Sequence, residues 1–181
     1  MFKDMFGGVA VGPKEIHLPI AGRYIDLFIR ALYPDRPPVR HNIIQTKETI
    51  ELLLRYDCIV PAQRFLYLQC KWLERSELYD ALVLASRLDH LPSACRIIPL
   101  GYKWYRDQPG EGLPLCPNSG KRPWSVEDAA RLQPGWVWAL TMASNTCQKR
   151  LSEDMEQAKE ETRRPAYWRN VLGEFMANLA Q

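Results

Sequence analysis

The chain has 181 residues, of which 46% are hydrophobic and 25% charged, and it carries a formal net charge of +3. This length can bury one full hydrophobic core, and the composition is that of an ordinary globular protein rather than a disordered chain. The positive excess is small and is not concentrated on one face or tail, so it does not indicate nucleic-acid binding. No run approaches the roughly 18 uncharged apolar residues of a membrane span, and the first residues lack the pattern of a secretory signal. We therefore expect no membrane partner and no direct nucleic-acid partner.

The cysteines are widely spaced and odd in number. A disulfide framework is typically dense and even, so this pattern predicts reduced thiols and a cytoplasmic or nuclear protein. Most of these thiols are expected to act as small core hydrophobes. They are Cys58, Cys70, Cys95, Cys116 and Cys147.

A short helix, a short strand and an amphipathic helix are predicted in this order at the start of the chain. Residues 1–6 have the character of a helix end closed by Gly7-Gly8, and the alternation of polar and apolar residues over 15–19 predicts the strand. The apolar residues of 24–32 recur at i, i+3, i+4, i+7 and i+8, which is typical of an amphipathic helix. Pro34 ends this helix, because proline has no amide hydrogen and disfavours the α region at the residue before it.

Four further helices are predicted before residue 100, each from a start signal followed by apolar residues. Thr46 is the expected N-cap of the first, which runs to about Tyr56. Pro61 is the expected first residue of the second, where a missing amide hydrogen has no cost. Ser76 is expected to cap the third, and Pro92 lies at the start of the fourth.

Proline and glycine recur throughout residues 106–123, and this composition predicts a loop or linker. Ser125-Val-Glu-Asp128 has the spacing of a capping box, and Pro134 is expected to start a helix that runs to about residue 162. Pro165 opens the last predicted helix, which carries one continuous apolar stripe. The residues of this stripe are Trp168, Val171, Leu172, Phe175, Met176 and Leu179.

These elements predict a mostly α-helical protein with a remnant of one or two short strands. Aromatic residues cluster around the proline- and glycine-rich segment. We expect them to anchor the C-terminal helices onto the N-terminal part rather than to stack on nucleic-acid bases. They are Tyr102, Trp104, Tyr105, Trp124, Trp136 and Trp138.

The order of these elements resembles the BTB/POZ domain, in the form common in basidiomycete fungal proteins. The similarity covers about residues 1–100 and predicts three parts: a BTB/POZ-like domain (1–100), a linker (101–124) and a helical C-terminal extension (125–181). The matching segments are FKDMF (2–6), IHLP (16–19), IDLFIRALYP (25–34), ELLLRYDCIV (51–60) and LVLASRL (82–88).

The resemblance implies a non-enzymatic protein-protein interaction module. In the family, strands and a dimer helix precede the segment that matches residues 2–6, so the resemblance implies an N-terminally truncated domain without a homodimer of the family's kind. Apolar residues at the truncated edge would then be open to a protein partner, and so would those of the last helix unless that helix folds back onto the domain. The residues are Phe2, Met5 and Phe6 at the edge, and Trp168, Leu172, Phe175 and Met176 in the last helix.

Three alternatives remain open from the sequence. The first is a substrate adaptor for a cullin-type ubiquitin ligase, a role that the family often has, in which residues 7–15 and 46–56 would contact the cullin. The second is a transcription-associated regulator that acts through a partner carrying the DNA contacts. The third is a small enzyme with an unrecognised site.

No catalytic, cofactor-binding or metal site is predicted. The histidines, His17, His41 and His90, are far apart, and none pairs with a cysteine at metal-ligand spacing. The glycine-rich segment 7–14 resembles a phosphate-binding loop only faintly, because Pro13 removes an amide that such a loop needs. No nucleophile elbow or catalytic cysteine signature occurs.

Overall fold

The computed structural model describes residues 22–33, 39–101, 115, 124–153 and 160–180. For Arg23 and for residues 148–153 and 160–168 it describes the backbone only. The described residues are mostly α-helical, as the sequence predicts, and no strand lies among them. The predicted strand at 15–19 and the predicted helix at 1–6 lie outside the described residues.

Eight α-helices are seen in the described residues, joined in places by short 3₁₀ turns. The 3₁₀ turns are Cys70–Trp72, Arg75–Glu77 and Ile98–Gly101. The helices are α1 (Gly22–Leu32), α2 (Ile43–Arg55), α3 (Ile59–Gln69), α4 (Leu78–Arg87), α5 (Leu91–Ile97), α6 (Val126–Ala130), α7 (Pro134–Glu153) and α8 (Glu160–Leu179).

Helix α1 has the position and the end that the sequence predicts. Its apolar stripe buries Leu27 and Ala31 and places the Phe28 ring 5.6 Å from that of Tyr56. The helix ends at Leu32, so the residue before Pro34 lies outside it. The amphipathic pattern therefore predicts the face that α1 buries.

Two helix starts differ from the prediction because side chains upstream of the predicted caps make better caps. Asn42, not Thr46, is the N-cap of α2: its Oδ1 accepts from the Gln45 amide at 2.8 Å, and Gln45 Oε1 accepts from the Asn42 amide at 3.3 Å. Ser76 lies inside a 3₁₀ turn that Glu74 caps together with Glu77, and α4 begins only at Leu78. Asparagine is among the strongest N-cap residues, which explains the earlier start of α2.

The prolines occupy first helical turns in three of four cases. Pro134 is the first residue of α7, as predicted, Pro92 is the second of α5, and Pro61 is the third of α3 rather than the first. All three positions lack an intrahelical acceptor for an amide hydrogen, so proline has no cost there. The prediction that Pro165 opens the last helix was wrong, because α8 already includes Glu160, upstream of that proline. Residues 154–159, over which the preceding helix was predicted to continue, lie outside the described residues.

Helices α2 and α4 end with the same Schellman turn, a recurrence that the sequence analysis missed. An aspartate takes the left-handed conformation after each helix: Asp57 has φ 57° and Asp89 has φ 45°. In each turn the next amide hydrogen-bonds back to a carbonyl of the last helical turn, Cys58 to Leu53 at 2.8 Å and His90 to Ala85 at 2.9 Å. This bonding pattern satisfies carbonyls that the helix end leaves open, and it starts α3 and α5 in equivalent positions.

One hydrophobic core joins the N-terminal helices to the C-terminal helices. Helix α8 packs along α7 and against the 3₁₀ turn Ile98–Gly101. The buried cluster runs from Ala31 in α1 to Phe175 in α8 and includes the fully buried Trp136 of α7. The described C-terminal helices therefore pack on the helices that precede residue 101.

Candidate protein-interaction groove

An open groove of about 470 Å³ lies where the start of α2 passes beside α4. It combines a concave apolar surface with charged side chains, the combination expected of a binding site. We call it the α2–α4 groove. It is lined by Ile43, Ile44, Lys47, Asp80, Val83, Leu84, Arg87 and Arg131.

Two polar side chains fix the start of α2 beside α4. The buried Gln69 accepts from the His41 amide at 3.0 Å and donates to the Val39 carbonyl at 2.9 Å. Glu77 accepts from the Ile43 amide at 2.9 Å and, through its other oxygen, from the Glu74 amide at 2.9 Å. Glu77 thereby places a carboxylate at the N-terminus of α2, where the helix dipole favours it. Glu77 therefore holds the first residue of α2 beside the start of α4, and Gln69, the last residue of α3, holds the segment that leads into α2.

The floor of the groove is apolar and its rim is open. Val83 and Leu84 of α4 are buried, whereas Ile44 at the rim is 64% exposed. Single exposed apolar side chains are common on protein surfaces. Ile44 differs from them because it borders a concave apolar floor, so a ligand seated there would cover Ile44, Val83 and Leu84 together.

The three cations of the groove are Lys47, Arg87 and Arg131. Arg87 pairs with Glu51 of α2 through both terminal guanidinium nitrogens, Nη1 and Nη2. This pairing lowers the pKa of the Glu51 carboxyl. Arg131 pairs with Asp80. Within the part of the chain that the structure describes, Lys47 has no carboxylate at ion-pair distance.

Arg131 reaches the groove because the segment after residue 123 is attached to α4. The Tyr79 hydroxyl donates to the Asp128 carbonyl, and the Trp124 ring meets the Tyr79 ring edge-on with centroids 5.2 Å apart. Burial of the Tyr79 phenol raises its pKa to about 12. The predicted capping box is confirmed: Ser125 Oγ accepts from the Asp128 amide at 3.1 Å, and Asp128 Oδ2 accepts from the Ser125 amide at 3.0 Å. This short helix α6 leads directly to Arg131.

The lining of the groove holds no hydroxyl, thiol or imidazole group and no metal ligand set. Its one carboxylate, Asp80, is paired with Arg131, and it contains no cysteine, serine or histidine. Among the described residues no group of three or more metal-ligating side chains occurs. None of the described cysteines is in a disulfide, and burial raises the pKa of Cys70 to about 11, which makes that thiol a core residue rather than a reactive group.

The residues predicted for the last helix lie in the core or at its edge. Phe175 is fully buried, with its ring edge-on to that of Trp136 and centroids 5.4 Å apart. Leu172 and Met176 are half-buried against the same cluster, and Met176 Sδ lies 3.8 Å from Cys95 Sγ. Helix α8 is therefore folded back onto its own chain, the alternative noted above, and Phe175 offers no surface to a partner in this conformation. The side chain of Trp168, and Phe2, Met5 and Phe6, lie outside the described residues.

The described aromatic residues near the linker divide into two anchors and one exposed ring. Trp124 and Trp136 attach the C-terminal segment to the preceding helices, as the sequence predicts. Trp138 is 47% exposed on α7 instead. The residues Tyr102, Trp104 and Tyr105 lie outside the described part of the chain.

Comparison with known proteins found no match among protein families, curated proteins or solved structures. The resemblance to the BTB/POZ domain therefore rests on the order and spacing of residues alone. No helix in the described residues has the length and apolar character needed to cross a membrane.

Sequence reasoning did not identify the α2–α4 groove, although α2 carries a signal for one side of it. Ile44 and Lys47 are three residues apart and share a helix face with Glu51, whereas Ile50 and Leu53 occupy the buried face. An isoleucine on the polar face of an amphipathic helix is the feature that could have marked this surface. The contribution of α4 and of Arg131 depends on tertiary packing, and no local pattern predicts it.

Proposed function

We propose that this chain is a non-enzymatic protein-interaction module that binds a segment of a partner protein in the α2–α4 groove. The observation that carries the proposal is the exposed Ile44 at the edge of a concave apolar floor formed by Val83 and Leu84. An apolar centre with a polar, charged rim is the usual anatomy of a protein interface. Because the lining holds no hydroxyl, thiol or imidazole group and no metal ligand set, we assign the groove to binding rather than to catalysis.

The shape of the groove favours an extended or helical segment of a protein. An apolar side chain of the partner would seat between Ile44 and the α4 floor, as an anchor does in helix-in-groove recognition. The resemblance of residues 1–100 to the BTB/POZ family supports a protein-interaction role independently of the groove.

A cullin-ligase adaptor is the second candidate, because the groove overlaps a segment that the resemblance associates with cullin contact. That segment, 46–56, contributes Lys47 to the lining and also contains Glu51, which holds Arg87. A cullin would then be one occupant of the same surface. The other segment of that contact, 7–15, lies outside the described residues.

Site-specific photo-crosslinking tests the proposal. A photoreactive amino acid replaces Ile44 in one variant and Ile59 in a matched control, since Ile59 is also exposed but does not line the groove. The crosslinked segment of the captured protein is sequenced, synthesised and titrated against the full chain. We expect Ile44→Asp to weaken its binding about tenfold or more, the effect of losing a central anchor, and Ile59→Asp to leave it unchanged.

Equal affinity of the Ile44→Asp and Ile59→Asp variants for the crosslinked segment would overturn the proposal. If the segment comes from a cullin, the adaptor role becomes the leading function. A purified cullin that fails to bind the full chain would remove that candidate and leave the interaction module in place.

A further inference from the structure

We infer that the partner segment of the α2–α4 groove is acidic and apolar, with aspartate or glutamate residues flanking the apolar side chain that enters the groove. This inference rests on the proposed function and specifies the chemistry of the partner. Its basis is the charge of the lining, which holds three cations and one carboxylate around four apolar residues.

Lys47 is the cation of the groove that makes no close ion pair with a described carboxylate. Its side chain is exposed, and the carboxylate that it interacts with electrostatically is Glu51, one turn further along α2, which Arg87 already engages. A segment that covered Ile44 would also remove water from Lys47, three residues further along the same helix. A carboxylate on that segment would replace the lost hydration, whereas a neutral or basic segment would leave the ammonium desolvated or repelled.

Carboxylates hold the two arginines in position, and each guanidinium keeps N–H donors that these carboxylates do not use. Glu51 engages two nitrogens of Arg87, and Asp80 engages one nitrogen of Arg131. A guanidinium carries five N–H donors, so each arginine can receive a second carboxylate without losing the first. Because these ion pairs already restrict the side chains, less conformational entropy is lost when a partner carboxylate binds.

The N-terminus of α2 offers a hydrogen-bond donor at the same edge. Ile43 and Ile44 are the first two residues of this helix, where the macrodipole is positive. The Ile43 amide is bound to Glu77, whereas no described residue accepts a hydrogen bond from the Ile44 amide. Because the Glu77 carboxylate already lies at this helix end, the helix end contributes one further amide donor, that of Ile44, rather than an unopposed positive charge.

A nucleic acid fits this groove less well than an acidic protein segment. Phosphates would match the cations, but the lining contains no aromatic ring on which a base could stack. The exposed Ile44 and the apolar floor would then have no counterpart in the ligand. An apolar anchor with carboxylates beside it satisfies both features.

A peptide selection tests the inference. A displayed library of random peptides is selected against the immobilised full chain. The enriched peptides are measured by fluorescence anisotropy at about 50 mM and about 300 mM salt, which shortens the screening length from about 14 Å to about 6 Å. We expect the peptides to be acidic with at least one large apolar residue, and their affinity to fall at the higher salt concentration. We expect Lys47→Glu and Arg131→Glu each to weaken binding about fivefold, because each replaces an attraction by a repulsion.

Matched controls separate charge from folding. Lys47→Arg keeps the charge and is expected to retain the affinity, and Lys71→Glu reverses an exposed lysine that does not line the groove. Thermal unfolding of each variant shows that the fold is kept. A fluorescein-labelled single-stranded oligonucleotide serves as a polyanion without apolar side chains, and we expect it to bind weakly and without dependence on Ile44.

The outcomes distinguish this inference from the proposed function. Enriched peptides that lose affinity with Ile44→Asp but are neutral or basic, or that do not respond to Lys47→Glu, would overturn the acidic partner and keep the groove. Failure to enrich any peptide whose binding depends on Ile44 would overturn the proposed function as well. Tighter binding of the oligonucleotide than of any peptide would assign the surface to nucleic acid and also overturn the inference.

Discussion

Asp89 and Trp136 are joined by a hydrogen bond from the indole Nε1 to the carboxylate Oδ1 at 3.3 Å. Asp89 is the left-handed residue of the Schellman turn after α4, and Trp136 is a fully buried residue of α7 that also meets the Phe175 ring. This contact connects the turn that starts α5 to the C-terminal helices. Asp89 therefore accepts a hydrogen bond from a buried tryptophan. In the described structure Asp57, which occupies the equivalent turn after α2, makes no such contact.

The two aspartates therefore predict different responses to the same substitution. Glycine adopts a positive φ without strain, so Asp57→Gly is expected to change the free energy of unfolding by no more than about 0.5 kcal/mol. Asp89→Gly keeps the turn but leaves the buried Trp136 N–H without its acceptor, which is expected to cost about 1 to 3 kcal/mol. Urea denaturation of both variants measures the difference. Equal destabilisation would mean that the contact with Trp136 contributes nothing.

Gln69 is predicted to stabilise the fold by holding the segment that leads into α2. Gln69→Leu preserves the volume but leaves the His41 amide and the Val39 carbonyl without partners, so we expect a loss of about 1 to 3 kcal/mol in the free energy of unfolding. We also expect faster hydrogen exchange at the His41 amide. The matched control is Gln63→Leu, which loses a single hydrogen bond to the Leu88 carbonyl. A Gln69 variant no less stable than the Gln63 variant would contradict this account.

Ile44 and Leu84 line the same groove but are predicted to differ in their contribution to stability. Leu84 is 3% exposed, so Leu84→Ala is expected to cost about 2 to 5 kcal/mol through lost burial and a cavity. Ile44→Ala is expected to cost less than about 0.5 kcal/mol, because its side chain is mostly in water. Thermal or chemical unfolding of the two variants decides this. A large loss for Ile44→Ala would show that another part of the chain covers the side chain and that it is not free for a partner.

Two half-buried histidines predict that stability falls in mild acid. Burial lowers the pKa of His90 and of His41 below the ordinary value of 6.5. Between the folded-state pKa and pH 6.5 the unfolded chain binds more protons than the native chain. The stability that comes from burying a neutral histidine is therefore fully present above pH 6.5, and it is lost as the pH falls through the folded-state pKa. The slope is at most about 1.4 kcal/mol per pH unit for each histidine.

The variants His90→Gln and His41→Gln test this pH dependence. Each is expected to flatten the fall in unfolding free energy between neutral pH and mild acid, and the double variant is expected to flatten it further. The slope is the informative quantity, because glutamine does not titrate, whereas the loss of the hydrogen bond between His90 and Ser93 also changes the absolute stability. An unchanged slope in the double variant would show that neither ring resists protonation in the folded state.

The sequence predicted those parts of the fold that depend on local signals. The stripe and the proline stop of α1, the capping box at Ser125 and the start of α7 at Pro134 each depend on residues within one or two turns of the helix. The start of α2 was missed because two capping signals compete within five residues, and Asn42 prevails over Thr46. The pattern alone does not decide between neighbouring caps.

The sequence could not predict what covers each apolar stripe. The stripe of the last helix was identified, but its burial against Trp136 depends on how α7 and α8 pack. The groove is a stronger example, because Lys47, Asp80 and Arg131 meet only through the contacts that Glu77 and Tyr79 make across the chain. Each of these residues alone is an ordinary surface charge.

Methyl chemical-shift mapping tests the central claim, that the α2–α4 groove is the binding surface, most directly. The full chain is labelled at its isoleucine, leucine and valine methyl groups and titrated with an acidic peptide obtained by selection. We expect the Ile44 and Val83 methyl signals to shift on binding, while those of Ile59 and Val126, which are exposed but do not line the groove, stay in place. Shifts centred on Ile59 or Val126 with the Ile44 signal unmoved would contradict the claim.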